Sequence, residues 1–497
     1  MDSQAISEWL QLKMDRNADG PLYAQLYHLL QHGILSGHCP PGTRLPPSRQ
    51  LAKELDIARN TVIQVYEQLT LEGYVSSEVG RGTFVADISH DLTQPVEKQT
   101  KQSESVRSAS PARLSSAGEQ VIASIGHSER QMGAFMPGVP DVSEFPVKQW
   151  VRIQNRHWRD PDPVLFTYAP AGGLPTLREA LASYLGSSRS VVCSSEQVIV
   201  TSGIHQVIDV AARLLCNPGD RVWIEEPSYW GIRNLLLSLG IEVVGIPVDG
   251  EGINPSAADM ENPPRLIVVT PSHQYPLGMV MSLARRLKLL EYARLTGCWI
   301  LEDDYDSDFR YGARPLPSLQ GLDEGSQVIY AGSFNKTLFP GLRLGYAVVP
   351  STLAPQFASL TAELFREGQL VVQSIMADFL TQGHVGSHIR RMRNLYGKRR
   401  IALLEAIDRH YGDKLPVIGD KAGLHVVLGL PDHVDDTAVS AHAAKAGIMA
   451  RALSMYYVNA NEARRGLVLG YGCVRESLIP RSFATLAKVV DQHLDTA

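Results

Sequence analysis

The sequence predicts an α/β protein in three stretches: a small head over 1–87, a tether over 88–130 and a large body over 131–497 with a mostly parallel sheet. Three observations carry this. The chain has 497 residues, more than one domain at roughly 150 residues each. Residues 88–130 hold nine serines and no aromatic residue, too little apolar surface to offset the entropy of ordering, so they read as a flexible connection. Beyond them, apolar strand-like runs at 197–201, 221–225, 266–270, 299–302 and 328–330 alternate with helix-like segments.

Composition removes several classes. With 44% hydrophobic and 20% charged residues, the chain is an ordinary globular protein. A net charge of −5, from 47 basic and 52 acidic side chains, names no polyanionic or polycationic partner. No apolar run approaches the roughly 20 residues of a membrane helix, and the opening MDSQAISEWLQLKMDR lacks the basic-then-apolar order of a signal peptide. A cytoplasmic protein away from membranes is expected. Cys39, Cys193, Cys216, Cys298 and Cys473 are odd in number and form no CxxC pair, so neither a disulfide framework nor a metal site is expected.

In the head, PLYAQLYHLLQHGILSG places Leu22, Leu26, Leu29, Leu30 and Ile34 at helical spacing, with Gly37 as the stop. Tyr23 and Tyr27 fall on the inward side by the same spacing. A second helix, SRQLAKELD, has Ser48 as a natural N-cap. A third, NTVIQVYEQLTLEG, turns Val62, Val65, Tyr66, Leu69 and Leu71 inward. YVSSEVGRGTFVAD then reads as two short strands around Gly80-Arg81-Gly82. This is the order of a winged helix-turn-helix domain, with the third helix placed to enter a major groove.

The run PGTRLPPSRQLAKELDIARNTVIQVYEQLTLEGYVSSEVGRGTFV resembles the GntR family of DNA-binding heads along nearly its whole motif. The resemblance places Arg49 and Arg59 at the starts of the two helices beside DNA, Asn60 and Thr61 at the opening of the recognition helix, and Arg81 at the wing tip. Arg44 and Ser48 complete the candidate DNA-binding set. Arginine suits phosphate forks and the paired acceptors of guanine. Residues 42–85 carry five basic and five acidic side chains, so a positive face must come from placement. Ala58 stands where the family usually has Ser, which removes a helix cap or moves it to Asn60.

In the body, Ser333-Phe334-Asn335-Lys336 follows the apolar run VIYAGSF and precedes a Pro-Gly turn. Burial lowers a lysine's pKa and frees its amine to form a Schiff base with an aldehyde, as a pyridoxal 5′-phosphate (PLP) site requires. Such a site also needs an anion for the pyridine nitrogen and donors for the phosphate. The run 299–302 leads into Asp303-Asp304-Tyr305 at a strand's carboxyl end, where α/β sheets bind ligands; Asp303 suits the nitrogen and Tyr305 the ring hydroxyl. Ser202-Gly203-Ile204 opens a helix after the run 197–201, a nest of backbone donors for phosphate; His205-Gln206 are candidates to cap that helix. Tyr229, in EEPSYWG, is placed to stack on the ring.

Together with TYAPAGGLPTLREALASYL, TPSHQYPLG and LEDDYDSDFRYGARPLPSL, these residues resemble the aminotransferase-like, fold-type I PLP domain. The resemblance implies PLP on Lys336, Asp303 at the pyridine nitrogen, Ser202, Gly203, Ser333 and Arg343 at the phosphate, and Tyr168 reaching across from a second subunit. A GntR head joined to this body is similar to the MocR/GabR-type transcriptional regulators.

Departures bear on activity. Tyr275-Pro276-Leu277-Gly278 replaces the usual Asn-Pro-Thr-Gly. Val468 stands where aminotransferases place an arginine for the substrate carboxylate, leaving Arg464 and Arg465 as nearby candidates for effector binding, with His273 in PSHQYP. Asn335 replaces the commoner Ser. Gly231 lies two beyond Tyr229, where GABA-responsive members carry Arg, which argues against GABA. Met455-Tyr456-Tyr457 reads as core or dimer surface. The expected function is a homodimeric, PLP-dependent regulator that senses an amino compound or PLP itself and binds a double-stranded operator with two half-sites. The alternatives are an active aminotransferase with a vestigial head and a PLP sensor with no further effector. Effector, operator sequence, regulated genes and the sign of regulation are not written in the sequence.

Overall fold

The structure, a computed structural model, describes residues 3–15, 20–78, 80–87, 133–311, 317–323, 326–366 and 368–494, with residues 114, 115, 118, 119 and 122 between them. The expected tether at 88–130 lies almost wholly outside the described residues. Two units result, Met1–Ser110 and Pro111–Ala497.

The first unit carries helices α1 (Ser3–Lys13), α2 (Leu22–Leu35), α3 (Ser48–Leu55) and α4 (Arg59–Leu71), then strands β1 (Val75–Glu78) and β2 (Gly82–Val85). The strands pair antiparallel around the expected wing turn. Ile6, Leu10, Leu26, Leu30, Leu51, Val62, Val65 and Leu69 close one core. No element was expected over α1, although Ile6 and Leu10 stand four residues apart, the spacing that buries one face of a helix. Tyr23 and Tyr27 pack against this core while staying partly exposed; the Tyr27 hydroxyl bonds to Glu72.

Two details differ from expectation. Ser48 is the first helical residue, not the cap: extended Pro47 takes that place, and its carbonyl accepts from Leu51 N at 3.0 Å. Leu71 is 84% exposed, because it sits two residues, about 200° of helical turn, beyond buried Leu69. At α4, of the two alternatives expected, the lost cap is the one found. Ala58 holds the cap position without a side-chain bond, and Asn60 lies inside the first turn.

The second unit is built on an eight-stranded sheet. Its members are β3 (Val198–Thr201), β4 (Arg221–Glu226), β5 (Glu242–Asp249), β6 (Gly252–Ile253), β7 (Leu266–Val269), β8 (Trp299–Asp304), β9 (Val328–Ser333) and β10 (Gly345–Val348), in the order β3-β10-β9-β8-β7-β4-β5-β6. The middle five, β9 to β5, are parallel. Strand β10 runs antiparallel between β3 and β9, and β6 antiparallel to β5. All five expected strands are present. Strands β3, β7 and β10 are buried along their whole length, as both-face coverage of such a sheet demands. A second, antiparallel sheet holds β11 (Val417–Ile418), β12 (His425–Gly429), β13 (Arg451–Ala452) and β14 (Gly466–Gly470), in the order β11-β12-β14-β13. It packs with the long helix His384–Tyr411 and the helix Ile479–Leu494 around Ile407, Tyr411, Leu428 and Phe483.

Candidate functional site

In the second unit, register assembles the site. Gly345, the first residue of β10, pairs with Thr201 on one side and Ser333 on the other. Because β10 is antiparallel, its start lies at the edge where β3, β8 and β9 end. Ser202-Gly203, Asp303-Asp304 and Ser333-Lys336 therefore converge there, the carboxyl edge at which such sheets bind ligands.

The β3 turn leads into the helix Ile204–Leu215 through Gly203, whose φ of +127° other residues rarely adopt. A Cβ on Gly345 would lie 2.8 Å from Gly203 Cα, so glycine at 345 lets the two backbones touch. Ser202 N–H donates to Gln206 Oε1 at 2.7 Å, but the helix opens at Gly203 without a side-chain cap, so the cap expected of the His205-Gln206 pair is not made. Ser333 Oγ accepts from Asn335 N at 3.1 Å, and Asn335 Oδ1 is buried with no partner among the described residues. Arg343 is exposed at φ +50° just before Leu344, whose carbonyl accepts from Phe334 N. The exposed Arg343 guanidinium and the N-terminus of the helix that opens at Gly203 suit this edge to an anion; the Asn335 Oδ1 acceptor does not add to it.

Lys336 Nζ donates to the Gly138 carbonyl at 2.5 Å, and a Cβ on Gly138 would stand 3.0 Å from Nζ. The neighbouring acids divide by strand alternation. Asp304 is engaged by Arg189 Nε at 3.1 Å and by the Tyr330 hydroxyl at 2.5 Å. Asp303, on the opposite face, accepts no side-chain hydrogen bond among the described residues. Burial first, then Asp304 and Asp306, push its carboxyl up to about 8, with Lys336 pulling the other way. Fully buried Glu225 at the end of β4 is pushed up to about 7 by burial, although Thr270 donates to it. A buried carboxyl raised despite the Lys336 charge, with no side-chain hydrogen bond among the described residues, suits a protonated ring nitrogen.

Above this floor lies a cluster of rings. Tyr229 packs edge-on to His205, with its hydroxyl 3.3 Å from His205 Nε2, and lies 6.3 Å from the Tyr275 ring. Tyr305 and Tyr275 meet edge-on at 5.5 Å. Tyr275 shares a 3.0 Å hydroxyl contact with Tyr456, whose ring is core, as expected. A Cβ on Gly231 would meet both the Tyr229 ring and His205, so this packing needs glycine there.

His273 belongs to the same cluster, its Nδ1 2.8 Å from the Tyr305 hydroxyl. Tyr168 is 91% exposed, outside this chain's own cluster. Arg465 is engaged by fully buried Asp436 at 3.3 Å, and Arg464 is exposed beside Tyr457. Neither makes a described contact with His273, Tyr305 or Lys336. Arg451, to which no role was assigned, pairs directly with Val468 across β13 and β14. Cross-strand partners share a face, so Arg451 stands one strand over from the expected arginine position. Its guanidinium lies 5.0 Å from the Trp230 ring, and its charge reaches the hydroxyls of Tyr275 and Tyr456. Gly138, Glu225, Asp306 and His425 were also missed; only Asp306, three residues after Asp303, had a local signal.

In the first unit, Arg49, Arg59 and Asn60 are exposed at the starts of α3 and α4, with Thr61 half-buried. Arg59 Nε donates to Ser48 Oγ at 3.5 Å. Arg81 pairs with Glu78 at the wing at 2.6 Å, and Arg44 lies against Gly82 at its base. Neither α3 nor α4 has an acidic residue in its first turn or a side-chain cap. The balanced charge of the head thus still leaves two helix N-termini with no side-chain cap and no acid in the first turn, each beside an arginine, an arrangement that favours phosphate.

Residues 22–85 match the family model for bacterial regulatory proteins of the gntR family, and residues 138–467 that for aminotransferase class I and II. The chain is 40% identical to the "Probable rhizopine catabolism regulatory protein MocR" of Rhizobium meliloti over 93% of this chain and 92% of that protein. It is 31% identical to the HTH-type pyridoxine biosynthesis transcriptional regulator PdxR of Corynebacterium glutamicum, over 94% and 95% of the two chains. Among solved structures, the α-aminoadipate aminotransferase LysN of Thermus thermophilus superimposes with a TM-score of 0.70 at 25% identity, over 77% of this chain and 98% of that one. Among the described residues, no helix is long and apolar enough to cross a membrane.

Proposed function

The chain belongs to the MocR-type regulators, which join a gntR-family head to an aminotransferase class I and II body, and from that premise we propose that it is a PLP-dependent, DNA-binding transcriptional regulator responding to an amino acid. The observation that carries the proposal is Asp303, a buried carboxyl raised to about 8 although the Lys336 charge pulls it down, and without a side-chain hydrogen bond among the described residues. The head supports it with uncapped helix ends flanked by arginines.

In this reading Lys336 holds the cofactor's aldehyde carbon and Asp303 its ring nitrogen. Ser202, Gly203, Ile204, Ser333 and Arg343 hold its phosphate, Tyr229 covers its face and Tyr305 meets its ring oxygen. Tyr168, exposed on its own subunit, serves the site of a second copy, so the working unit is a dimer. PLP supplies an aldehyde that condenses with amines and a ring that withdraws electrons. Arg451 binds the effector's carboxylate by its planar guanidinium fork, which selects an amino acid over a simple amine. In the dimer, Arg44, Ser48, Arg49, Arg59, Asn60, Thr61 and Arg81 of each head read one of two half-sites of a duplex. The effector acts by favouring one arrangement of the body over another, which requires different affinity for the two. The protein works in the cytoplasm.

The test is an absorbance titration of PLP-loaded protein with amino acids and with the corresponding decarboxylated amines. A visible band that borohydride fixes onto wild type but not onto Lys336→Ala is expected. One amino acid should change the band without releasing keto acid, and Arg451→Ala should weaken that response at least tenfold. Keto acid forming over many cycles would replace the regulator with an aminotransferase.

A further inference from the structure

Beside Tyr305 lies a buried pair whose role the cofactor reading leaves open. His273 and Asp306 are 1% and 3% exposed. His273 Nδ1 stands 3.1 and 3.2 Å from the two carboxylate oxygens of Asp306 and 2.8 Å from the Tyr305 hydroxyl. Its Nε2 is buried without a partner among the described residues. The small sheet's side of the unit is shaped around the pair. Gly423, at φ +77°, could carry no Cβ without overlapping the His273 ring and the Asp306 carboxylate. The Gly423 carbonyl is fixed by the hydroxyls of Tyr311 at 3.1 Å and Tyr471 at 2.6 Å. His425 lies 5.2 Å from His273, with its own Nε2 2.9 Å from the Pro276 carbonyl. The other ionisable groups acting on the pair and on Tyr305 are Arg310, Asp303, Asp304, Tyr275, Glu225 and Lys336, together with Tyr311, Tyr471 and His425.

An ionised carboxylate only accepts, so the contact with Asp306 puts the His273 proton on Nδ1 and leaves Nε2 as the bare acceptor. The same Nδ1–H reaches the Tyr305 oxygen, which accepts it, and the phenol keeps its own proton for another acceptor. We propose that His273 is a positioning residue: pinned by Asp306, it holds Tyr305 so that the phenol donates its proton to the ring oxygen of PLP. The proposal rests on the cofactor reading above and adds a direction to the Tyr305 hydrogen bond. A donor aimed at a phenolate oxygen favours its deprotonated form, so the pair also sets the pH at which the bound cofactor titrates.

Full-length protein is titrated with PLP, and both the dissociation constant and the pH midpoint of the visible band are read. His273→Phe keeps a ring and removes the donor; His273→Asn keeps a donor near the place of Nδ1. Loss of one hydrogen bond to a charged oxygen predicts about tenfold weaker PLP binding for His273→Phe. Its band midpoint should rise by about one pH unit, and His273→Asn should stay near wild type. Asp306→Asn, close in shape and able to donate to Nδ1, should reverse the ring's proton and shift the midpoint upward as the Phe variant does. Equal behaviour of the Phe and Asn variants, or an unmoved midpoint in both His273→Phe and Asp306→Asn, would overturn the proposal. Wild-type protein that develops no band would overturn the cofactor reading itself, so the two failures are told apart.

Discussion

Replacing Asp303 with Asn tests the electrostatics of the site without any ligand. The Asp303 carboxyl is raised from 3.8 to about 8, with burial the largest cause and Asp304 and Asp306 adding to it. A carboxyl whose folded pKa lies above its unfolded value binds more protons in the native state, so stability falls as pH rises. The contribution is fully present below about pH 4 and is lost as pH climbs to about 8. With about 1.4 kcal/mol per pK unit, the loss by pH 8 is on the order of 5 kcal/mol, of which about 1 kcal/mol falls between pH 7 and pH 8. Glu225 and Glu302, each raised to about 7 chiefly by burial, add slopes of the same sign that finish near pH 7, so the last interval reads Asp303 most directly. Urea unfolding of the cofactor-free body at pH 5, 7 and 8, for wild type and Asp303→Asn, measures it. The variant should gain stability relative to wild type as pH rises, and PLP should flatten the wild-type slope by pairing the ionised carboxylate. Identical slopes for the two proteins between pH 7 and pH 8 would refute the reasoning.

Three further outcomes are expected. Arg59→Ala should weaken duplex binding about tenfold or more and reduce the logarithmic salt slope by about one if its contact is to phosphate, read by fluorescence anisotropy at several salt concentrations. Gly203→Ala, at φ +127° where a Cβ would meet only Asn335 Nδ2 at 3.6 Å, should cost about 1–3 kcal/mol of stability through backbone strain and weaken PLP binding, seen by thermal melting and by absorbance. Asp436→Ala should destabilise the body by about 3–5 kcal/mol, because Arg465, the Ser454 hydroxyl and Gly466 N–H all lose their shared acceptor; urea unfolding checks this, and the effector titration should survive wherever the protein remains folded.

How much was legible depended on the range of the signal. Helices α2 to α4 and the wing follow from apolar spacing and a Gly-Arg-Gly turn, all local. Lys336, Asp303 and Ser202-Gly203 stood out because each follows an apolar strand and precedes a turn. The resemblance picked Asp303 over Asp304, and strand alternation in the folded sheet gives the physical reason, since Asp304 is engaged by Arg189 and Tyr330. Arg465 looked available in the sequence because Asp436, its partner, lies 29 residues away.

The sequence alone determined the two-part architecture, the kinds of element and the chemistry of the short motifs, since spacing, caps and turns act over a few residues. Tertiary structure decided which of those residues meet. The antiparallel course of β10 brings Ser202, Ser333 and Lys336 to one edge, and the β13–β14 register sets Arg451 beside Val468. A bend at Gly423 admits His273 and Asp306 to one buried space. These are contacts between segments tens to hundreds of residues apart. Their energies depend on burial and distance, quantities fixed only once the chain has packed.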